Sequence, residues 1–500
     1  MLGKKKFEPK LMYNLTIDDL VEEDNLYRQI DKFLDLRFVY KECEKLYGKT
    51  GKPSIDPVVF FKLELYGYFE NIISDRELIR RANDSLAARY FIGYDIDERL
   101  PWHSTISRTR ALISKESFEK IFNKILELCY HSGLIEGKHQ SIDSTLVKAN
   151  ASLESVERKE PKLTVEEYIT KRYEENKDEE KQNRDDEENR NKGQKAELRI
   201  ERSKEKSPKK KGERNLNYES KTDPDSRMSA KPGKPSELYY STHYSADSKK
   251  KIITDVLTTY ADRGDSEVLL EVYQRAEKRI NKLGLTIEEV SADKGYCSGK
   301  NLRALEAKQV KAFIPTKEYV NTNGTINNKE FIYEEDKDDF ICPNQKRLTF
   351  YTYDKKKQRK RYRARKGDCF GCPLKEQCCP KGKCRSVSRT IYYKEYQRLD
   401  QRLKTPQARR AAIIRKTVSE GLFAEGKMYH GLRKFMTRGI DKAQKKSYMI
   451  ASVQNLKRLL GYTKRKTTRA VQIIENILTG IFLYANFELC PTNCEIRTDN

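Results

Sequence analysis

The stretch Gln140-Ser-Ile-Asp-Ser-Thr-Leu-Val-Lys-Ala-Asn150 decides how this chain is read. Its alternation predicts a β-strand with Ser141 and Asp143 on one face and Ile142 on the other. Helical periodicity precedes it. Two later stretches each offer an acid to the same place. One is Ala292-Asp-Lys-Gly-Tyr296, at the end of a strand predicted over 286–291. The other is Ile413-Ile-Arg-Lys-Thr-Val-Ser-Glu-Gly-Leu-Phe-Ala-Glu-Gly-Lys427, which reads as a helix. If the first two strands are parallel neighbours, Asp143 and Asp293 meet at one end of a sheet, where α/β sites form.

Upstream, Asp56-Pro57 is an N-cap followed by proline at the first helical position. Ser74-Asp-Arg-Glu77 has the pattern of a capping box. In Leu100-Pro-Trp-His-Ser-Thr-Ile-Ser-Arg-Thr-Arg110, Ser104 is expected to cap a short basic helix resembling the second helix of a helix-turn-helix, with Arg108 and Arg110 outward. Trp102 is expected in the core and His103 as a satisfied structural histidine.

Between the acids, residues 153–235 are charged and poor in apolar side chains, and read as a flexible linker. The runs 175–192, 207–211 and 231–235 are its extremes. From 236 the pattern turns to β: 238–248 and 251–260 form a hairpin. Asp262-Arg-Gly-Asp265 is expected to cap a helix over 266–283. A helix over 301–308 and a strand over 311–315 follow, so the order is that of a mixed α/β layer. Residues 317–400 interrupt it with Cys342, Cys369, Cys372, Cys378, Cys379 and Cys384. They also contain 355–366, where nine of twelve residues are Lys or Arg. A CxxC with two further cysteines fits a structural zinc held by Cys342, Cys369, Cys372 and Cys378, with Cys379 as the substitute for Cys378. After Thr405 the chain is helical again. A helix over 441–460 is expected to be capped by Asp441 and stopped by Gly461.

The 500 residues include 101 Lys plus Arg against 76 Asp plus Glu, a formal charge of +25. That excess suits a polyanion such as nucleic acid. No apolar run is long enough for a membrane span: 473–487 is short and contains Glu475 and Asn476. The start, Met-Leu-Gly-Lys-Lys-Lys, lacks the apolar core of a signal peptide. A cytosolic protein is expected, whose eleven cysteines are thiols or metal ligands. Cys490 and Cys494 receive no role.

Ser-Ile-Asp-Ser-Thr at the first strand, Ala-Asp-Lys-Gly-Tyr at the second acid and Glu-x6-Lys at the third resemble a bacterial insertion-sequence transposase of the DDE class. The segment His103-Ser-Thr-Ile-Ser-Arg108 is similar to the end of that family's N-terminal domain. The resemblance covers roughly residues 40–150 and 236–460. It implies an α/β fold: a ribonuclease H-like mixed sheet with an N-terminal helical domain and a cysteine-containing β insert. The parts would be a DNA-binding domain (1–135), first catalytic strand (136–152), linker (153–235), core (236–316), insert (317–400), catalytic and core helices (401–465) and tail (466–500). It further implies metal-dependent cleavage and strand transfer at the terminal inverted repeats, with Asp143, Asp293 and Glu420 binding two Mg²⁺ or Mn²⁺ ions. Lys427 would be the helix lysine, and Arg108, Arg110, Arg415, Lys416 and Lys427 would contact DNA. A homodimer on end and target DNA, without membrane, in the bacterial cytoplasm at the nucleoid, is expected. A nuclease without strand transfer and an inactive DNA-binding derivative are the other readings. Many relatives have a tyrosine and an arginine before the glutamate; here the tyrosine is absent, with Ile413 nearby, and the basic position is Arg415 or Lys416, so the route of end processing stays open. Glu425 competes with Glu420. At about 100° per residue, Lys416, Glu420 and Lys427 share a stripe, Glu425 faces elsewhere, and Phe423 can wedge the helix against the sheet.

Overall fold

The computed structural model describes residues 14–47, 54–159, 213–230, 236–316 and 325–487, the side chains of 213–214 and 464–487 excepted. The runs 175–192, 207–211 and 231–235, the N-terminal lysines and the tail cysteines lie outside the described residues.

Helices precede the sheet: α1 (Pro57–Phe69), α2 (Asp75–Asp84), α3 (His103–Leu112) and α4 (Lys115–His131) are the main ones. Asp56 caps α1 as its sequence dictates, accepting from the N–H of Val58 and Val59. The box expected at Ser74 is not made. Ser74 is the N-cap of α2 without a side-chain bond, and Glu77 instead pairs with Arg80 and Arg81. Nor does Ser104 cap α3, whose N-cap is Trp102, two residues earlier. Trp102 is not in the core; it is 78% exposed. His103 is half-buried with Nδ1 unpartnered.

The main sheet is mixed. Its strands are β1 (His139–Lys148), β2 (Arg227–Ser229), β3 (Glu237–Asp247), β4 (Ile252–Tyr260), β5 (Glu289–Ala292) and β6 (Lys311–Phe313). The spatial order is β2-β3-β1-β5-β6, with β4 also on β3. β3 is antiparallel to β1, pairing Asp143 with Tyr244 and Ser144 with His243. β5 is parallel to β1, pairing Ile142 with Ala292. Between β4 and β5 lies α5 (Asp265–Lys282), and between β5 and β6 lies α6 (Gly299–Ala307). The long α7 (Pro406–Tyr429) and α8 (Ile440–Phe487) close the fold.

Part of the expected linker is sheet. β2 extends the edge beside β3, and the turn before it caps a distant helix. Asp223 accepts from Gly439 N–H, and Asp225 accepts from Ile440 N–H at 2.9 Å, placing two carboxylates at the positive end of α8. Asp441, expected as that cap, pairs with Lys115. α8 also runs through Gly461, because glycine costs a helix only about 1 kcal/mol.

One buried apolar cluster runs from Tyr27 through α1, α4 and both faces of the sheet to Leu460, so the N-terminal helices and the sheet share a core. A buried ion network crosses the same junction: Arg279 of α5 pairs with Glu119 of α4 and with Asp255 of β4, while Arg275 reaches Asp255 and Tyr448. β4 would leave unpaired backbone at the sheet edge, a liability that proteins cover. Here α8 covers it. Asn455 bonds both N–H and C=O of Ile253, and Gln444 bonds Thr258 N–H and Val256 C=O.

The segment after β6 forms a separate five-stranded antiparallel sheet: β7 (Ile332–Glu334), β8 (Asp339–Ile341), β9 (Arg347–Asp354), β10 (Arg359–Ala364) and β11 (Ser386–Thr390). Its own cluster has six buried members: Phe331, Phe340, Leu348, Tyr362, Ala364 and Val387.

Candidate active site at the β1–β5 edge

The parallel register sets Asp143 beside Asp293, each the residue after the Ile142–Ala292 pair. Asp143 remains in β1, while Asp293 starts the turn Lys294–Tyr296. Asp143 is half-buried. Burial raises its pKa; the Ser144 N–H and Arg415 work against that, and Asp293 and Asp265 add to it.

Ser144 is the pivot of the site. Its N–H donates to Asp143 Oδ1 at 2.8 Å, and its hydroxyl donates to Asp265 Oδ1 at 3.0 Å. Asp265 is the first residue of α5, where a carboxylate meets the positive helix end. It was expected to cap α5, but the N-cap is Gly264 and makes no side-chain bond. Asp265 is turned to the sheet instead. Gly295 makes room for it: a Cβ there would stand 2.8 Å from Asp265 Oδ2. The glycine of Ala-Asp-Lys-Gly-Tyr is thus required by a close approach.

Behind Ser144 the polar chain continues inward. His243 donates or accepts at Tyr296 OH (2.9 Å) and Thr259 Oγ1 (3.1 Å), all three buried. Fully buried, the imidazole is held neutral, its pKa pulled down to about 3 by burial. Tyr296 is pushed well above the ordinary phenol value by burial and then by Asp265.

α7 packs on the opposite face. Thr405 caps it by accepting from Ala408 N–H, with Pro406 at its first turn. Phe423 stacks on Tyr244 with centroids 4.8 Å apart, wedging the helix against the strand neighbour of Asp143. The residue of α7 that reaches the site is Arg415, whose Nη1 stands 3.3 Å from Asp143 Oδ2. Glu420 is five residues on, about 7.5 Å along the axis and about 140° round, and is exposed. Lys416 is exposed and Lys427 half-buried. Glu425 is spoken for: it pairs with Arg458 at 2.7 Å, with Lys457 and with His430, which hold its pKa far below the usual carboxylate range despite burial.

Asp143 and Asp293 offer hard oxygen donors suited to Mg²⁺ or Mn²⁺. Among the described residues, however, no three His, Cys, Asp or Glu side chains converge closely enough to hold a metal ion. That is true of the thiols too. Cys342, Cys369, Cys372, Cys378 and Cys379 line one cavity of about 30 Å³ under β9 and β10, all unbridged. Nitrogen donors point at two of these thiols, Lys346 N–H to Cys342 Sγ (3.2 Å) and Asn344 to Cys372 (3.4 Å), and Arg363 donates to Cys384 outside the cavity lining (3.1 Å).

In the helical region, Arg108 is exposed on α3. Arg110 does not face outward. It is buried, bonded to Glu64 and to Asp75 at 2.7 Å, so its fork of donors is spent inside the protein. The reading of both arginines as one exposed pair failed because Arg110 is two positions, about 200°, from Arg108 on the helix. Asp265 and Ser144 escaped notice as site residues because only the tertiary fold brings α5 to β1.

A family model described as a transposase domain (DUF772) matches residues 15–112, and one described as a transposase DDE domain matches residues 341–460. The first covers most of the helical region. The second includes Arg415, Glu420 and Lys427, while Asp143 and Asp293 lie outside both. No match is found among curated proteins or solved structures. The two matches, on separate parts of the chain, support an insertion-sequence transposase of the DDE class. Among the described residues no helix is long and apolar enough to cross a membrane.

Proposed function

We propose that the protein binds the terminal inverted repeats of its own insertion sequence and catalyses metal-dependent DNA cleavage and strand transfer, on a ribonuclease H-like core and as a dimer that pairs two ends. The observation that carries this reading is the adjacency of Asp143 and Asp293 on parallel strands. These two carboxylates would hold the divalent ions, Mg²⁺ or Mn²⁺, with Glu420 as the third acid. Bound there, such ions stabilise the attacking and leaving oxygens of an in-line phosphoryl displacement.

The chain's own residues do the rest. Ser144 fixes the Asp143 carboxylate through its N–H and braces Asp265 through its hydroxyl, so Asp265 acts as a positioning residue. Arg415 neutralises Asp143 while no metal is bound. Lys416 and Lys427 on α7, with Arg108 on α3, contact DNA phosphates. In the insert, Cys342, Cys369, Cys372 and Cys378 would hold one structural zinc. Their donor chemistry fits that ion, although their present spacing is not that of a closed tetrahedral site.

Glu420's exposure and Arg415's hold on Asp143 favour one second reading, an inactive derivative that only binds DNA. Cleavage of a labelled duplex carrying the element's end separates the two. Asp143→Asn, Asp293→Asn and Glu420→Gln should each lower Mn²⁺-dependent cleavage at least ~10³-fold with binding retained, since several kcal/mol of charge stabilisation is lost. Wild-type protein that binds the end but never cuts it would establish the second reading.

A further inference from the structure

The insert sheet has two unlike faces. One packs Leu348, Phe340, Tyr362 and Ala364 together. The other is open, and its middle strand is β10, lying between β9 and β11. In β10, Arg359, Arg361 and Arg363 alternate with buried or half-buried residues and so point to the open face, at intervals of about 6.6 Å. The ladder sets Ser386 opposite Arg363 and Ser388 opposite Arg361, both exposed. On the other side, Tyr351 sits at an irregularity of β9, is 56% exposed, and has the Arg363 guanidinium 4.9 Å above its ring. The β9–β10 turn adds lysines 355–357.

Charge pairing separates the faces. The cations that alternate with these arginines are neutralised: Lys360 and Arg389 both pair with Asp338. Arg359 and Arg361 have no ion pair or side-chain hydrogen bond among the described residues, and Asp354, opposite Arg359 in the ladder, accepts from the Lys357 N–H. Arg363 is partly engaged, donating to Cys384 Sγ, while Arg359 and Arg361 stand in line beside it without a counter-charge. Such a row, flanked by hydroxyls, suits an extended anion of regular spacing, since guanidinium forks and hydroxyls are the groups that bind phosphate oxygens.

We propose that the open face of the insert sheet is a docking surface for the sugar–phosphate backbone of duplex DNA, independent of base sequence. This rests on the transposase reading and adds to it a second DNA contact, away from the carboxylates and from α3.

The test is the salt dependence of full-length protein binding to a duplex of random sequence. Arg359→Ser/Arg361→Ser should bind more weakly, and its log K against log salt should be shallower by about 1.8, because two fewer phosphates are neutralised. Arg359→Lys/Arg361→Lys should keep the wild-type slope. Lys278→Ser/Lys282→Ser on the exposed side of α5 removes the same charge elsewhere and should also keep it. A wild-type slope in the serine variant, with wild-type protein binding normally, overturns this inference alone. Wild-type protein that binds no duplex overturns the transposase reading with it.

Discussion

The two sheets of this protein solve opposite problems. The main sheet has helices on both faces, and many charged groups of the sheet and its helices are consumed internally: Asp255 by Arg275 and Arg279, Glu425 by Arg458, Arg110 by Glu64 and Asp75. At the β1–β5 edge, by contrast, Asp143 and Asp293 are left half-buried and side by side, with Arg415 at 3.3 Å from Asp143. The insert sheet is covered on one face, has six buried residues at its centre and leaves arginines unneutralised. A unit of this size lacks the apolar area to be secure by itself, which is where clustered thiols and a metal contribute most. On the proposed reading, chemistry belongs to the crowded sheet and the contact with a long polymer to the sparse, open one.

Breaking one side should leave the other intact. The largest effect is expected from Asp255→Asn. It leaves Arg279, and in part Arg275, without a buried counter-charge and should destabilise the core by ~3–5 kcal/mol. Calorimetry should show the helical region and main sheet unfolding together at lower temperature, since one apolar cluster joins them. Two separate transitions for these parts would refute the shared core.

A smaller and local effect is expected from Cys369→Ser/Cys372→Ser. Metal analysis should fall from about one zinc per chain towards none, and limited proteolysis should open the insert while the core transition stays put. Equal metal content in variant and wild type would remove zinc from the account of the insert.

The smallest effect is a pH dependence of the core. His243 is neutral when folded because burial pulls its pKa from 6.5 to about 3, and His139 shifts the same way to about 4. The unfolded chain therefore binds more protons than the folded one below pH 6.5. Stability is full above that value and lost as pH falls towards 3, by about 2 kcal/mol for His243 at pH 5. Denaturant titrations between pH 7 and 5 should show a shallower pH dependence for His243→Gln. An unchanged slope would mean that the buried chain Thr259–His243–Tyr296 does not set the acid limit.

Local signals in the sequence were enough for much of this molecule. The alternation around Asp143, the hairpin of β3 and β4, the Asp56-Pro57 start of α1 and the Thr405-Pro406 start of α7 are each written in adjacent residues, because strand pleat and helix capping act over a few positions. The meeting of Asp143 with Asp293 was foreseeable from two strand-end aspartates, given a parallel pairing. What the sequence could not decide were contacts between groups far apart in the chain. Asp225 rather than Asp441 caps α8. Arg110 turns inward to Glu64. Arg415, not Glu420, meets Asp143. Asp265 reaches Ser144 past Gly295. Each depends on which side of a helix ends up against the sheet. That is set by how the whole apolar surface packs, and a charged side chain then takes the nearest opposite charge or donor the packing leaves it.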